Sequence, residues 1–140
     1  MSAAAAQAEL MEREKHVMDI QRRLQSLKGQ LQSMANHQVA LEREKRRSQL
    51  TRSEVEKLES THVVYKGLGR AFMSVAVPEM AAENAEVEAK CTQEVQRVVE
   101  EKKKIGAVIQ NEEEQLNVAA KDFIAAVRLL QASNQLPASS

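Results

Sequence analysis

The stretch Thr61-His62-Val63-Val64-Tyr65-Lys66-Gly67-Leu68-Gly69-Arg70-Ala71-Phe72-Met73-Ser74-Val75-Ala76-Val77 is where the chain changes character. Its β-branched and aromatic residues, with two glycines near the middle, predict two short strands joined by a tight turn. On the first strand Val63 and Tyr65 point to one side, Val64 and Leu68 to the other. On the second, Phe72 alternates with Met73, Val75 and Val77. Both faces therefore carry apolar groups, as in a strand covered by other chains. A lone hairpin is marginal in water, and its outer edges present unpaired N–H and C=O groups. Pairing with strands of partner chains is expected, and a hairpin folded onto its own flanking segments is the alternative. Gly67 and Gly69 are expected to serve the turn; no helix N-terminus or Lys-Ser/Thr follows them, so a phosphate cradle is not indicated.

Outward from this stretch, both flanks read as long helices. From about Ala8 to Arg47 there is no Pro, and apolar residues recur in a 3-4 rhythm. Leu10, Val17, Leu24, Leu31, Gln38 and Lys45 fall at heptad a positions, and Arg13, Ile20, Leu27, Met34, Leu41 and Ser48 at d. This is the narrow seam of a coiled coil rather than the broad stripe of a globular helix. A second series runs Cys91, Val95, Val98, Lys102, Ile105, Ile109, Glu112, Leu116, Ala119, Phe123, Ala126 and Leu130. Thr51-Arg52-Ser53-Glu54 fits a capping box that restarts or reinforces the first helix, and Pro78-Glu79 suits the first turn of the second. Gly29 and Gly106 lie outside the seams.

The interruption sits near the middle of the chain, so the two arms can fold back antiparallel. Facing residues whose numbers sum to 139 or 140 bring Leu10 to Leu130, Val17 to Phe123, Leu24 to Leu116, Leu31 to Ile109 and Leu41 to Val98. The polar pair Gln38 and Lys102 then coincide, whereas Leu27 opposite Glu112 is a mismatch. Sums shifted by seven fit the heptads equally well; a helix end near residue 60 and a start near 78 favour this register. The expected fold is mainly α: a long antiparallel two-helix coiled coil joined by a β-hairpin that pairs with partner subunits. It forms one domain, with a first arm over 8–60, the hairpin over 61–77, a second arm over 78–132 and a disordered tail over 133–140.

Composition agrees with this layout. Of 140 residues 20 are alanines and only three are aromatic, too few large apolar side chains for the core of a compact enzyme domain. Lys+Arg and Asp+Glu balance at 20 each, which argues against a general nucleic-acid binder. The runs Lys45-Arg46-Arg47 and Lys102-Lys103-Lys104 read as solvated helix faces. Cys91 has no partner for a disulfide, so a reducing compartment fits. His16, His37 and His62 share no ligand spacing with it, so neither a metal nor a cofactor is expected. Ala3 to Ala6 has no basic residues before it and no apolar run after it, unlike a signal peptide. No stretch approaches the roughly 18 uncharged apolar residues of a membrane span. A cytoplasmic protein that binds neither membrane nor nucleic acid is expected.

The segment Leu50-Thr51-Arg52-Ser53-Glu54-Val55, followed by Val64-Tyr65-Lys66-Gly67-Leu68-Gly69-Arg70-Ala71-Phe72-Met73, resembles prefoldin, the cytosolic hexameric chaperone. The likeness is to its β-type subunits, which have one hairpin. A Tyr-x-x-x-Gly-Arg-x-Phe run after a Leu-Thr-x-x-Glu helix start looks most like the eukaryotic subunit one. The Ala-rich start and the Gln-Leu-Pro-Ala-Ser-Ser end match no pattern of the family.

The resemblance implies a non-enzymatic role. Hairpins of α- and β-type subunits would join into the β-barrel base of a hetero-hexamer, here through Val63, Val64, Tyr65, Gly67, Leu68, Gly69, Phe72, Met73, Val75 and Val77. Coiled-coil tips would hold unfolded actin and tubulin without ATP and deliver them to the cytosolic group II chaperonin. Tip candidates are Leu10, Met11, Val17 and Met18 on the first arm, and Phe123, Ile124, Val127, Leu129 and Leu130 on the second. Met11, Met18, Ile124 and Leu129 lie off the seam, where no partner helix covers them, and exposed apolar clusters mark interaction sites. For Leu10, Val17, Phe123 and Leu130 the alternative is that they simply zip the coil shut. Two other readings are a structural coiled-coil adaptor without chaperone activity and, more remotely, an amphipathic helix on a membrane surface.

Overall fold

The computed structural model describes residues 2–135. The chain order is α1 (Ala3–Glu56), β1 (Val63–Leu68), β2 (Ala71–Ala76) and α2 (Val77–Gln135), the mainly helical fold with a central hairpin that the seam and the β-rich interruption dictate. The described residues group into two compact units, one of segments 2–32 and 103–135, the other of residues 33–102.

In the first unit α1 and α2 pack antiparallel around Ile20, Leu24, Ile109 and Ala119, with Val17, Leu27, Leu31, Ile105 and Leu116 against them. A Val, Leu or Ile among these contributes about 1.5–3 kcal/mol when fully buried. Glu112, the misfit opposite Leu27, turns instead to Arg23, whose Nε and Nη2 donate to its Oε2 at 3.3 and 3.2 Å. Leu27 thereby stays on the apolar side. Lys28 pairs with Glu113 at 3.5 Å.

In the second unit the helix pair is joined by polar as well as apolar seam residues. Lys102 donates to Gln38, and Gln49 donates to Glu88 at 3.1 Å, whose other oxygen lies 3.0 Å from Arg52. Val98 and Cys91 are buried, as is Ser48. A second cluster of Val55, Val75, Val77 and Met80, with Val64 and Ala81 against it, fastens the hairpin to both helices.

Both ends of each helix differ from the sequence expectation, as does Thr51 within α1. α1 begins at Ala3 rather than near residue 8, because Ser2 caps it: Oγ accepts from the Ala5 N–H at 3.1 Å, and the alanines that follow are the best helix formers. Thr51 does not start a new turn; its hydroxyl donates to the Arg47 carbonyl at 2.9 Å within an unbroken helix. α1 ends at Glu56 rather than near 60, since a turn closes over residues 59–62. There the His62 N–H donates to the Glu59 carbonyl, and the Glu59 N–H donates to His62 Nδ1, both at 3.0 Å. At the other side α2 starts on Val77, directly after β2, and reaches Gln135, so residues 133–135 are helical. Residues 136–140 of the expected tail lie outside the described residues.

Candidate functional site

The hairpin register pairs Val63 with Ala76, Val64 with Val75, Tyr65 with Ser74, Lys66 with Met73, Gly67 with Phe72 and Leu68 with Ala71. Directly opposed residues share a face, so Val64, Lys66, Leu68, Ala71, Met73 and Val75 form one side, and Val63, Tyr65, Gly67, Phe72, Ser74 and Ala76 the other. The first side lies on the helices: Val75 is 6% exposed and Val64 packs beside it. Lys66 reaches Glu83 of α2 at 3.2 Å. Toward the turn this side opens, and Leu68 and Met73 are exposed.

The opposite side carries the largest apolar surface of the hairpin. Val63 is 61%, Tyr65 65% and Phe72 76% exposed. The two strands form a sheet of their own, so each has an outer edge with no strand beside it among the described residues. Val75 and Val77, expected on the assembly face, are instead buried in their own chain, and Val77 belongs to α2. The helices cover the face on which these valines lie; period-two alternation with apolar residues on both sides cannot say which face that is.

The glycines divide their roles. Gly69 has φ +60°, and no non-glycine residue among those described has positive φ. With only Gly69 and Arg70 between the strands, this is the pattern of a type II′ hairpin turn. Gly67 is not part of the turn. It sits in β1 opposite Phe72, whose ring edge would lie 3.9 Å from a Cβ at this position. The aromatic ring thus covers a strand glycine that packs nothing of its own.

At the open end of the first unit, Ala6, Leu10, Ala126, Leu129 and Leu130 line a groove of about 360 Å³ rimmed by Glu9, Arg13 and Ser133. The structure therefore brings three of the tip candidates, Leu10, Leu129 and Leu130, to one hollow. Met11 and Met18 line a different one with Lys15, Asp19 and Arg22. Val17 belongs to the packed core. Phe123 and Val127 are half-buried, and Ile124 is exposed. Sequence reasoning placed Ala126 in the seam but named neither it nor Ala6 as a tip residue: both occupy seam positions where a small side chain leaves space between the helices. Their spacing in the heptad was the available signal.

Cys91 is buried, and desolvation pushes its thiol pKa up; Glu44 adds to the rise and Lys45 opposes it. Among the described residues no group of three His, Cys, Asp or Glu side chains is placed to hold a metal. No helix among them is long and apolar enough to cross a membrane.

Residues 18–123 match the family described as prefoldin subunit. The fold is similar to that of the prefoldin β subunit from Thermococcus strain KS-1, with a TM-score of 0.66 at 21% sequence identity, covering 74% of this chain and 91% of that one. No curated protein matches the chain at a significant level.

Proposed function

Because the chain belongs to the prefoldin subunit family, we propose that it acts as a β-type subunit, most like the eukaryotic subunit one, in a hetero-hexamer of α- and β-type subunits. In this reading it is an ATP-independent cytoplasmic holdase and not an enzyme. It binds unfolded polypeptides, actin and tubulin among them, and passes them to the group II chaperonin. The observation that carries the reading is the exposed Val63, Tyr65 and Phe72 face on an isolated two-stranded sheet. Such a face with open edges is suited to pairing with further strands. The groove at Leu10, Leu129 and Leu130 supports client contact, since a shallow apolar hollow binds weakly and several acting together retain a chain by avidity.

The first test is the native mass of the tagged protein from its own cells, with identification of the chains that accompany it. A particle of about six small subunits, the size the family assignment implies, supports the reading. A monomer or homodimer without companions leaves a structural coiled-coil adaptor. For the tips, Phe123→Ser with Ile124→Ser should weaken suppression of client aggregation while leaving assembly intact. Equal suppression by variant and wild-type assemblies refutes a tip role for these two residues.

A further inference from the structure

The basic run of α1, expected to be a solvated face, has an organisation that solvation alone does not require. Of the seven arginines of α1, Arg13, Arg22, Arg23 and Arg52 each have a carboxylate partner. The other three, Arg43, Arg46 and Arg47, have no ion pair among the described residues, and all three are exposed. They stand at i, i+3 and i+4, so they share one face and repel one another instead of supporting the helix. Of the nearby acids, Glu42 accepts from Gln38 at 3.1 Å, Glu54 pairs with Lys57 at 3.0 Å, and Glu44 lies toward α2, lining a hollow with Lys90 and Cys91.

Two apolar side chains bracket the arginines on the same face. Val39 is 53% and Leu50 54% exposed; they are eleven residues apart, three helical turns or about 16 Å. This face lies opposite the seam of Met34, Gln38, Leu41, Lys45 and Ser48, so α2 does not cover it. Exposed arginines between apolar anchors are the composition of an interface centre.

We propose that the Val39, Arg43, Arg46, Arg47 and Leu50 face of α1 docks an acidic amphipathic helix of a partner protein. Its carboxylates neutralise the three guanidiniums, and two apolar residues about three turns apart seat on Val39 and Leu50. Charge complementarity selects this occupant. A nucleic acid would leave the two apolar anchors idle, and no aromatic side chain stands among them to stack on bases. An anionic membrane would demand a longer apolar stripe than two residues. The site contains none of the hairpin or tip candidates, and it does not rest on the holdase reading.

The test uses the full chain in its purified assembly and a fluorescein-labelled helical peptide of Glu, Ala and two leucines eleven residues apart. Saturable, salt-sensitive binding is expected. It should weaken about tenfold or more in the Arg43→Gln, Arg46→Gln, Arg47→Gln variant and likewise in Val39→Ser with Leu50→Ser. A peptide with Gln replacing Glu should bind no better than the variants. Helix content and thermal stability should be unchanged or higher in the arginine variant, because like-charge repulsion is removed, so a lost fold cannot stand in for a lost site. Binding that is equal in all variants overturns the proposal. So does a preference for single-stranded DNA or for phosphatidylserine vesicles over the acidic peptide.

Discussion

The Lys102 ammonium donates to Gln38 Oε1 at 3.0 Å, joining the helices at a seam position that is polar on both sides. Their numbers sum to 140, within the one alignment that also matches Leu24 with Leu116 and Leu31 with Ile109 in the apolar core. A slide of one heptad would fit the heptads equally well, but it would set Gln38 against Ile109 or Val95 and Lys102 against Lys45 or Leu31, breaking the polar pair in either direction. A paired polar layer costs stability and specifies register. Gln38→Leu alone should therefore lower stability by about 1–2 kcal/mol, through the stranded Lys102 donor. With Lys102→Leu added, the melting temperature followed by helical circular dichroism should rise above that of the wild type. A double variant less stable than Gln38→Leu would show that the pair does not carry this cost.

The two faces of the hairpin should respond in opposite ways to substitution. Tyr65→Ser and Phe72→Ser remove exposed groups, so the chain's own unfolding midpoint should move by less than about 0.5 kcal/mol while association with partner subunits falls. Val75→Ser places a hydroxyl in the cluster of Val55, Val77 and Met80 and should cost about 2–3 kcal/mol before any partner is involved. Urea unfolding of the three variants, beside native mass of their assemblies, separates the faces. Equal destabilisation by Phe72→Ser and Val75→Ser would be incompatible with the observed burial.

The glycines give a paired test in the same element. Gly69→Ala forces an L side chain into φ +60° and should cost about 1–2 kcal/mol although nothing crowds the position. Gly67→Ala meets only ordinary contact with Phe72 and should be neutral within about 0.5 kcal/mol or slightly stabilising, because it restricts the unfolded chain. Thermal melts of the two variants under one condition decide the matter, and the reverse order would contradict the turn assignment.

These cases mark how far the residues themselves could be read. The seam and the strand-turn-strand interruption follow from periodicity and from Gly69, because each is a repeated or strongly biased local signal; the register follows from where the two helices meet that interruption. The Ser2 cap was equally local but small, one hydroxyl before an alanine run. Thr51 misled because a capping box and a mid-helix Thr bonding back to Arg47 have the same sequence. Val75 and Val77 stand among the expected assembly residues because apolar residues on both hairpin faces leave the choice of face to packing on Val55 and Met80. The Ala6 and Ala126 groove is a matter of missing volume, and volume is visible only once two helices face each other.

Cys91 supplies a pH test whose direction follows from its surroundings. Burial and the neighbouring Glu44 raise the thiol pKa in the folded chain above the ordinary value of 9.0. At neutral pH the thiol is therefore protonated in both states and contributes no pH dependence. As pH climbs through about 8.5–9 the unfolded chain releases its proton first, while the folded chain still holds it. Unfolding is then accompanied by proton release, so stability falls as pH rises through this window and toward the folded pKa. Cys91→Ala removes that decline, and between pH 8 and pH 10 the difference between the two proteins' urea midpoints should shift in the variant's favour, with the wild type falling faster. Alkylation by iodoacetamide provides the kinetic counterpart. The thiolate is the nucleophile and the native thiol is both protonated and covered, so modification near pH 8 should be at least about tenfold slower in the folded chain than in urea. Alkylation at equal rates in the two states would mean that the helix pair opens at Cys91 far more readily than its burial beside Glu44 and Lys45 allows.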